Sequence, residues 1–303
     1  MTTGTVTEGH MEWETHTTWY QIVGTLQPDS ELAPVVLAHG GPGASHDYIE
    51  PIAELARSGR ACILYDQVGC GRSEHLPDAA AEFWTVDLFK RELLDLTRTL
   101  GIDGRYHMLG QSWGGMLAME HALDHPPGLL SIIVADSPAS MLLWVEEANR
   151  LRRELPADVQ AALTEHEEAG TTDDPAYEAA VEVFYRRHLC RVEWPDCLQR
   201  SFANIAADPT VYHTMNGPSE FHCIGSLRTW DITDRLHEID VPTLLVSGAY
   251  DEATPLIVGT IHERIPGSTW VLLEQSSHTP HLEEPEAFLR AVAEFLAGVE
   301  AGA

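Results

Sequence analysis

The chain has 303 residues, 44% hydrophobic and 21% charged, enough to bury one large core with or without an insertion. Lysine and arginine total 18 against 47 acidic residues, a formal charge of -29, which argues against nucleic acid or an anionic membrane as a partner. The longest apolar run, Leu129 to Ala135, is too short to span a bilayer, and the first residues carry no basic or apolar leader features.

The five cysteines are odd in number and scattered, without zinc-ligand spacing, so reduced thiols and no metal are expected. Together these features point to a soluble cytoplasmic protein that needs no cofactor.

In chain order, residues 10–25 alternate and then run Trp19-Tyr20-Gln21-Ile22-Val23, an expected antiparallel hairpin at a sheet edge. Pro34 to Ala38 is a short buried strand that runs into His39-Gly40-Gly41-Pro42-Gly43, a loop too rich in glycine for strand or helix. No Gly-Lys-Ser/Thr follows it, so it is not a phosphate loop. A helix is expected over 47–58, a buried strand over Ala61 to Asp66, and a glycine-containing loop over Gln67 to Ser73. From Thr85 to Leu100, apolar residues at 86, 89, 93, 96 and 100 give helical spacing, with Thr85 as the N-cap.

Tyr106 to Leu109 then leads into Gly110-Gln111-Ser112-Trp113-Gly114-Gly115, and a helical pattern follows from Met116. Strand, G-x-S-x-G, helix is the context of a nucleophile elbow. Leu129 to Ala135 is a further buried strand. Strands separated by helices predict an α/β fold with a mostly parallel sheet covered on both faces. After Asp136-Ser137-Pro138 the sequence becomes helical, polar and studded with aromatics as far as about residue 235, with no convincing buried strand. The sheet pattern then returns at 241–247 and 269–274, with helices at 255–264 and 284–297. The expected organisation is a core over 1–137 and 237–303, interrupted by a helical cap over 138–236.

Ser112, Asp251 and His278 each fall just past the end of a predicted strand, in the order Ser, Asp, His. In a parallel sheet those ends share one edge, so three distant residues can meet there. His278 would take the Ser112 proton and return it to the leaving group, and Asp251 would orient the imidazole. The backbone N–H groups of Trp113 and Gly41 are the candidate oxyanion donors, each typically worth about 3 kcal/mol in the transition state.

On the motifs His39-Gly40-Gly41-Pro42-Gly43, Asp66-Gln67-x-Gly69-x-Gly71-Arg72-Ser73 and Gly110 to Gly115, the sequence resembles the proline iminopeptidase family of α/β-hydrolases. Met215 to Phe221, Gly248-x-Tyr250-Asp251-Glu252 and Ser277-His278 extend the resemblance over roughly 34–296. It implies an α/β-hydrolase fold with an inserted helical cap, and release of an N-terminal amino acid, often proline, from a peptide, amide or arylamide. It also implies that Glu220 and Glu252 bind the substrate's α-ammonium, a group with a pKa of about 8.

Trp144, Tyr212, Phe221 and Trp230 are candidates to wall the pocket, and His281 is a candidate rim residue. The substrate, a small molecule or short peptide with a free amine, stays open among peptides, amino-acid amides and aminoacylated amines. A carboxylesterase without an amine requirement and a non-catalytic receptor are the alternatives. An epoxide hydrolase or dehalogenase would need a carboxylate where Ser112 stands. Oligomeric state is not legible in the sequence.

Overall fold

The computed structural model describes residues 5–27 and 30–302. Eight strands form one sheet in the order β1-β2-β4-β3-β5-β6-β7-β8. β1 (Val6–Trp13) and β2 (His16–Val23) make the expected edge hairpin, which starts earlier than the alternation suggested, and β2 pairs antiparallel to β4 (Cys62–Tyr65). All remaining pairings are parallel, through β3 (Val35–Ala38), β5 (Tyr106–Gln111), β6 (Leu129–Ala135), β7 (Thr243–Gly248) and β8 (Thr269–Leu273).

The central strands are buried on both faces, which is why they read as unbroken apolar runs. Val36, Ile63, Met108, Ile132 and Leu245 face one core, together with Phe89 and Leu93. Val35, Leu37, Leu64, Leu109, Ile133 and Val246 face the other, against Phe288 and Val292. Each such fully buried side chain contributes roughly 1.5–3 kcal/mol of transfer free energy.

On the first face lie α1 (Val86–Thr99), α2 (Trp113–Ala122) and, further along the chain, α8 (Pro255–His262). Thr85 caps α1 as expected, its hydroxyl accepting from the Leu88 N–H at 3.2 Å. The residues expected to form an α-helix over 47–58 instead form a 3-10 helix, His46–Ser58, with Pro51 inside it. In an α-helix the proline ring clashes with the carbonyl four residues back, which disfavours regular α geometry there.

Between β6 and β7 run α3 (Met141–Arg152), α4 (Ala157–Ala169), α5 (Pro175–His188), α6 (Asp196–Ala207) and α7 (Thr210–Met215). This excursion contributes Leu163, Phe184 and Leu198 to the second core, so it is packed onto the sheet domain. The chain closes with α9 (Pro280–Glu283) and α10 (Pro285–Ala301). A buried ion pair anchors α10: Glu300 receives both terminal nitrogens of Arg60, at 2.9 and 2.7 Å.

Candidate active site

Ser112 stands between β5 and α2 with φ 56° and ψ -123°, a backbone conformation sparsely populated by residues with a side chain. Two glycines permit the turn. A Cβ on Gly110 would run into the Gly114 carbonyl, and one on Gly114 would run into the Ala38 carbonyl of β3. The Ser112 N–H donates to the Ala135 carbonyl at 2.8 Å, tying the turn to β6. Trp113 is the first residue of α2, where leading N–H groups have no intrahelical acceptor.

The glycine loop after β3 lies beside this turn, and Gly41, at φ 110°, borders the same two cavities as Ser112. Hydrogen bonds hold the loop from both sides. The Gln67 N–H donates to His39 Nε2 at 3.0 Å, and the Gln67 amide donates to the His39 carbonyl at 3.1 Å. Gln67 Oε1 accepts from the Trp113 indole at 2.8 Å. Because Nε2 of His39 accepts, its Nδ1 is the donor, to the Gly40 carbonyl at 3.0 Å. Burial lowers the His39 pKa, consistent with this neutral tautomer.

Asp251 lies three residues beyond β7, and His278 five beyond β8. His278 Nδ1 and Asp251 Oδ1 are 2.7 Å apart, and that oxygen also accepts from the Ala253 N–H at 2.8 Å. Ser112 and His278 line the same cavity, without a direct hydrogen bond between their side chains. Such contacts commonly tighten only when substrate is bound. Burial pushes the imidazole pKa down, but Asp251, through charge and hydrogen bond, and then Glu220 and Glu283 outweigh it, leaving it raised.

Glu252 is fully buried, and neither of its carboxylate oxygens has a hydrogen-bond partner. Its Oε1 lies 3.8 Å from His278 Nε2. Burial, then the charges of Glu220 and Asp251, push its pKa well up. Glu220, partly exposed to the cavity, accepts from the Tyr212 hydroxyl at 2.7 Å. Its backbone carbonyl accepts from the Trp144 indole at 2.6 Å. Burial raises its pKa, against the Tyr212 hydrogen bond and the charge of His278. The two glutamates therefore converge beside the imidazole from different segments, one from the excursion and one from the β7 loop. Carboxylates buried this way favour a cation between them.

Of the expected wall residues, Trp144 lies edge-on to His278 with ring centroids 5.8 Å apart, and Tyr212 holds Glu220. Phe221 packs on Phe184 in the second core, and Trp230 donates to Glu120 at 2.7 Å, so neither joins the cavity walls. His281 is a buried packing residue, its Nε2 donating to the Tyr48 carbonyl at 3.0 Å, and not a rim group. Burial holds its pKa down at about 3.

Several residues near the site carry no local sequence signal. Tyr48 accepts from the Gly40 N–H at 2.7 Å and donates to Gln111. The His188 carbonyl accepts the N–H groups of both Glu252, at 3.3 Å, and His278, at 3.2 Å. Asp136, just past β6, is fully buried beside Asp251. Only the last had any sequence cue, as the residue at which the strand pattern stops.

Two cavities meet at Ser112. A small one is bounded by Met116, Met141, Trp144, Asn216 and Leu227. The other, of about 40 Å³, runs past Ala44, Leu198 and Ile205. It shares Phe202, Ile205 and Glu220 with a larger cavity of about 550 Å³ within the helical excursion.

Residues 33–285 match the alpha/beta hydrolase fold family. Over 295 residues the chain is 38% identical to a proline iminopeptidase of Lactobacillus helveticus, an alignment covering 96% of this chain and 98% of that protein. The crystal structure of a proline iminopeptidase from Mycobacterium smegmatis superposes with a TM-score of 0.90 at 47% identity, covering 98% of this chain and 99% of that one. The crystal structure of VinJ superposes with a TM-score of 0.94 at 46% identity, covering 97% and 99%.

Proposed function

The chain belongs to the proline iminopeptidase family of α/β-hydrolases, and from that premise we propose that it is a serine aminopeptidase acting through an acyl-enzyme. It releases proline or a small apolar residue from the N-terminus of a peptide, amide or aminoacylated amine. The observation that carries this reading is the Glu252 carboxylate, buried with both oxygens unpartnered, 3.8 Å from His278 Nε2 and repelled by the charge of Glu220.

In this mechanism the substrate ammonium enters between Glu220 and Glu252 and supplies the hydrogen bonds that Glu252 lacks. That anchor leaves room for one residue before the scissile carbonyl. Ser112 Oγ attacks the carbonyl carbon as its proton passes to His278 Nε2, and Asp251 stabilises the imidazolium. The N–H groups of Trp113 and Gly41 bind the oxyanion. Collapse of the tetrahedral species returns the proton from His278 to the departing amine. Water, deprotonated by the same imidazole, then releases the amino acid and restores Ser112.

The small cavity by Trp144 and Met141, of about 10 Å³, borders Ser112 and is where the side chain of the released residue would lie, with room for a ring only if its walls move apart. The passage past Ile205 toward the larger cavity suits the leaving group. We assign residues 138–236 the role of a cap, since they carry Glu220 and Tyr212 to the site.

The formal charge of -29 leaves nucleic acid out of this reading. No helix among the described residues is long and apolar enough to cross a membrane. Five free cysteines fit a reducing compartment, and we place the protein in the cytoplasm.

The test is a panel of L-prolyl and L-alanyl arylamides, each with a free or an acetylated amine. Turnover is expected only with the free amine. Comparable kcat/KM for the acetylated substrates would overturn the ammonium assignment and leave a plain esterase or amidase.

A further inference from the structure

β6 ends at Ala135, and the next residue, Asp136, takes a left-handed backbone with φ 53°. Only a few per cent of residues with side chains do so. The Asp136 N–H donates to the Val246 carbonyl at 2.9 Å, which fixes the residue against the end of β7. Its side chain is fully buried, and neither carboxylate oxygen has a partner in good hydrogen-bond geometry, although the nearby Gly248 N–H favours its ionised form.

Asp251, which follows β7, shows a complementary deficit. Its Oδ1 is occupied by His278 and the Ala253 N–H, whereas its buried Oδ2 is unpartnered. Asp136 and Asp251 follow the ends of the adjacent strands β6 and β7, and the Asp251 carboxylate acts on Asp136 through both charge and side-chain hydrogen bonding to oppose its ionisation. Ionised carboxylates only accept, so two of them cannot satisfy each other. One shared proton satisfies the facing oxygen of each carboxyl and removes the repulsion.

The cation-forming His278 on Asp251 makes Asp136 the proton's holder, against the pull of the Gly248 N–H. Glu283 adds a further negative charge that opposes ionisation of Asp136. Asp251 has the cation-forming His278 on its other oxygen, with Glu220 and Glu252 beyond the imidazole. Burial, then Asp251, raise the Asp136 pKa well above the usual carboxylate range.

We propose that Asp136 is a positioning residue, a neutral carboxylic acid whose O–H donates to Asp251 Oδ2 and keeps the opposite oxygen of that carboxylate on His278 Nδ1. Asp136 touches no substrate. It acts by stopping the Asp251 carboxylate from rotating and by setting how strongly Asp251 stabilises the imidazolium. This assignment rests on the reading of Ser112, His278 and Asp251 as the catalytic set.

The experiment compares pH profiles of kcat and kcat/KM on a free-amine prolyl arylamide for the wild type, Asp136→Asn and Asp136→Leu. Asparagine keeps an N–H donor without a charge. It is expected to hold kcat within about threefold of the wild type and leave the acidic limb unmoved, within the spread usual for a preserved hydrogen bond. Leucine removes the donor, and kcat is expected to fall by about 10-fold or more with little change in KM.

An ionised Asp136 predicts a different result. Asparagine would then delete a negative charge near His278 and move the acidic limb to lower pH by about one unit, which would overturn the proposal. Wild-type kcat in the leucine variant, or equal losses in both variants, would also overturn it.

A second measurement does not depend on turnover or on the leucine variant folding. The infrared difference spectrum between wild type and Asp136→Asn at neutral pH is expected to show loss of a protonated carboxyl C=O band. Loss of an ionised carboxylate band instead would refute the neutral acid. Ser112→Ala in the same assay separates the two layers, because retained turnover there condemns the catalytic set while the infrared result still judges Asp136.

Discussion

The side-chain amide of Gln111 donates to the backbone carbonyl of His278 at 2.7 Å. On its other side Gln111 Oε1 accepts from the Tyr48 hydroxyl, and that hydroxyl accepts the Gly40 N–H at 2.7 Å. One residue before Ser112 therefore fixes both the histidine loop and the glycine loop relative to the elbow. Gln111→Leu is expected to leave buried polar groups unpaired, lowering stability by about 1–3 kcal/mol. The same change is expected to lower kcat by about 10- to 100-fold, because misplacing reacting groups by an ångström has that effect. Urea unfolding and steady-state kinetics read the two effects. A folded variant with unchanged kcat would remove Gln111 from any positioning role.

Ser112→Ala is expected to reduce turnover of L-prolyl and L-alanyl arylamides by at least about 10⁴-fold and to abolish labelling by a fluorophosphonate probe. The fold should survive, since Ser112 makes its structural bonds through the backbone, to Ala135 and Gly115. Retained labelling of the variant would end the nucleophile assignment.

Glu220→Gln and Glu252→Gln each remove one carboxylate from the proposed ammonium site, where the bound cation favours ionisation of groups whose pKa values are otherwise raised. A charge-assisted hydrogen bond contributes about 1.5–3 kcal/mol, so kcat/KM for free-amine substrates is expected to fall by about 10- to 100-fold. Simple esters without an amine should change far less. Parallel losses on both substrate types would show that the glutamates support the fold or the imidazole instead.

The pKa of His278 is raised above the ordinary 6.5 despite its burial, through Asp251, Glu220 and Glu283. A general base must be neutral, so kcat/KM is expected to fall as pH drops through that raised value. The acidic limb should therefore lie above 6.5 and move to lower pH in Glu220→Gln, which removes one of the raising charges. A wild-type limb below 6.5 contradicts the electrostatics described for the site.

Glu92 offers a test of stability remote from turnover. It is fully buried, accepting from the Thr18 hydroxyl and from the Val68 N–H at 2.8 Å. Burial raises its pKa from 4.5 to about 8. Between those values the folded chain holds a proton that the unfolded chain has released, so stability falls as pH rises across the window. Glu92→Gln is expected to weaken that decline by a few kcal/mol on an order-of-magnitude basis, read from urea midpoints at about pH 5 and pH 8.5. An identical decline in the variant would show that Glu92 is not the titrating group.

Much of this arrangement could be read locally. Gly110 and Gly114 are demanded by the backbone crossings they permit, so the elbow is written in six consecutive residues. The central strands are buried on both faces, so each announces itself as an apolar run. What escaped was long-range or geometrically subtle. Pro51 sits within a helical segment that is 3-10 in form. Trp230 and His281 looked available for the pocket, yet they are committed to Glu120 and to the Tyr48 carbonyl. A side chain's partner 100 or more residues away leaves no trace in its own neighbourhood of sequence.

The sequence alone determined the succession of strands and helices, the elbow, and the order in which Ser112, Asp251 and His278 occur, because backbone sterics and burial periodicity act on neighbouring residues. Only the tertiary structure decided that Asp136 meets Asp251, that Glu220 and Glu252 approach the imidazole from separate segments, and that Gln111 bridges two loops. Those relationships depend on which strand ends adjoin across the sheet and how the helices of 141–215 settle over them. Burial then converts each such meeting into shifted proton equilibria that no local composition encodes.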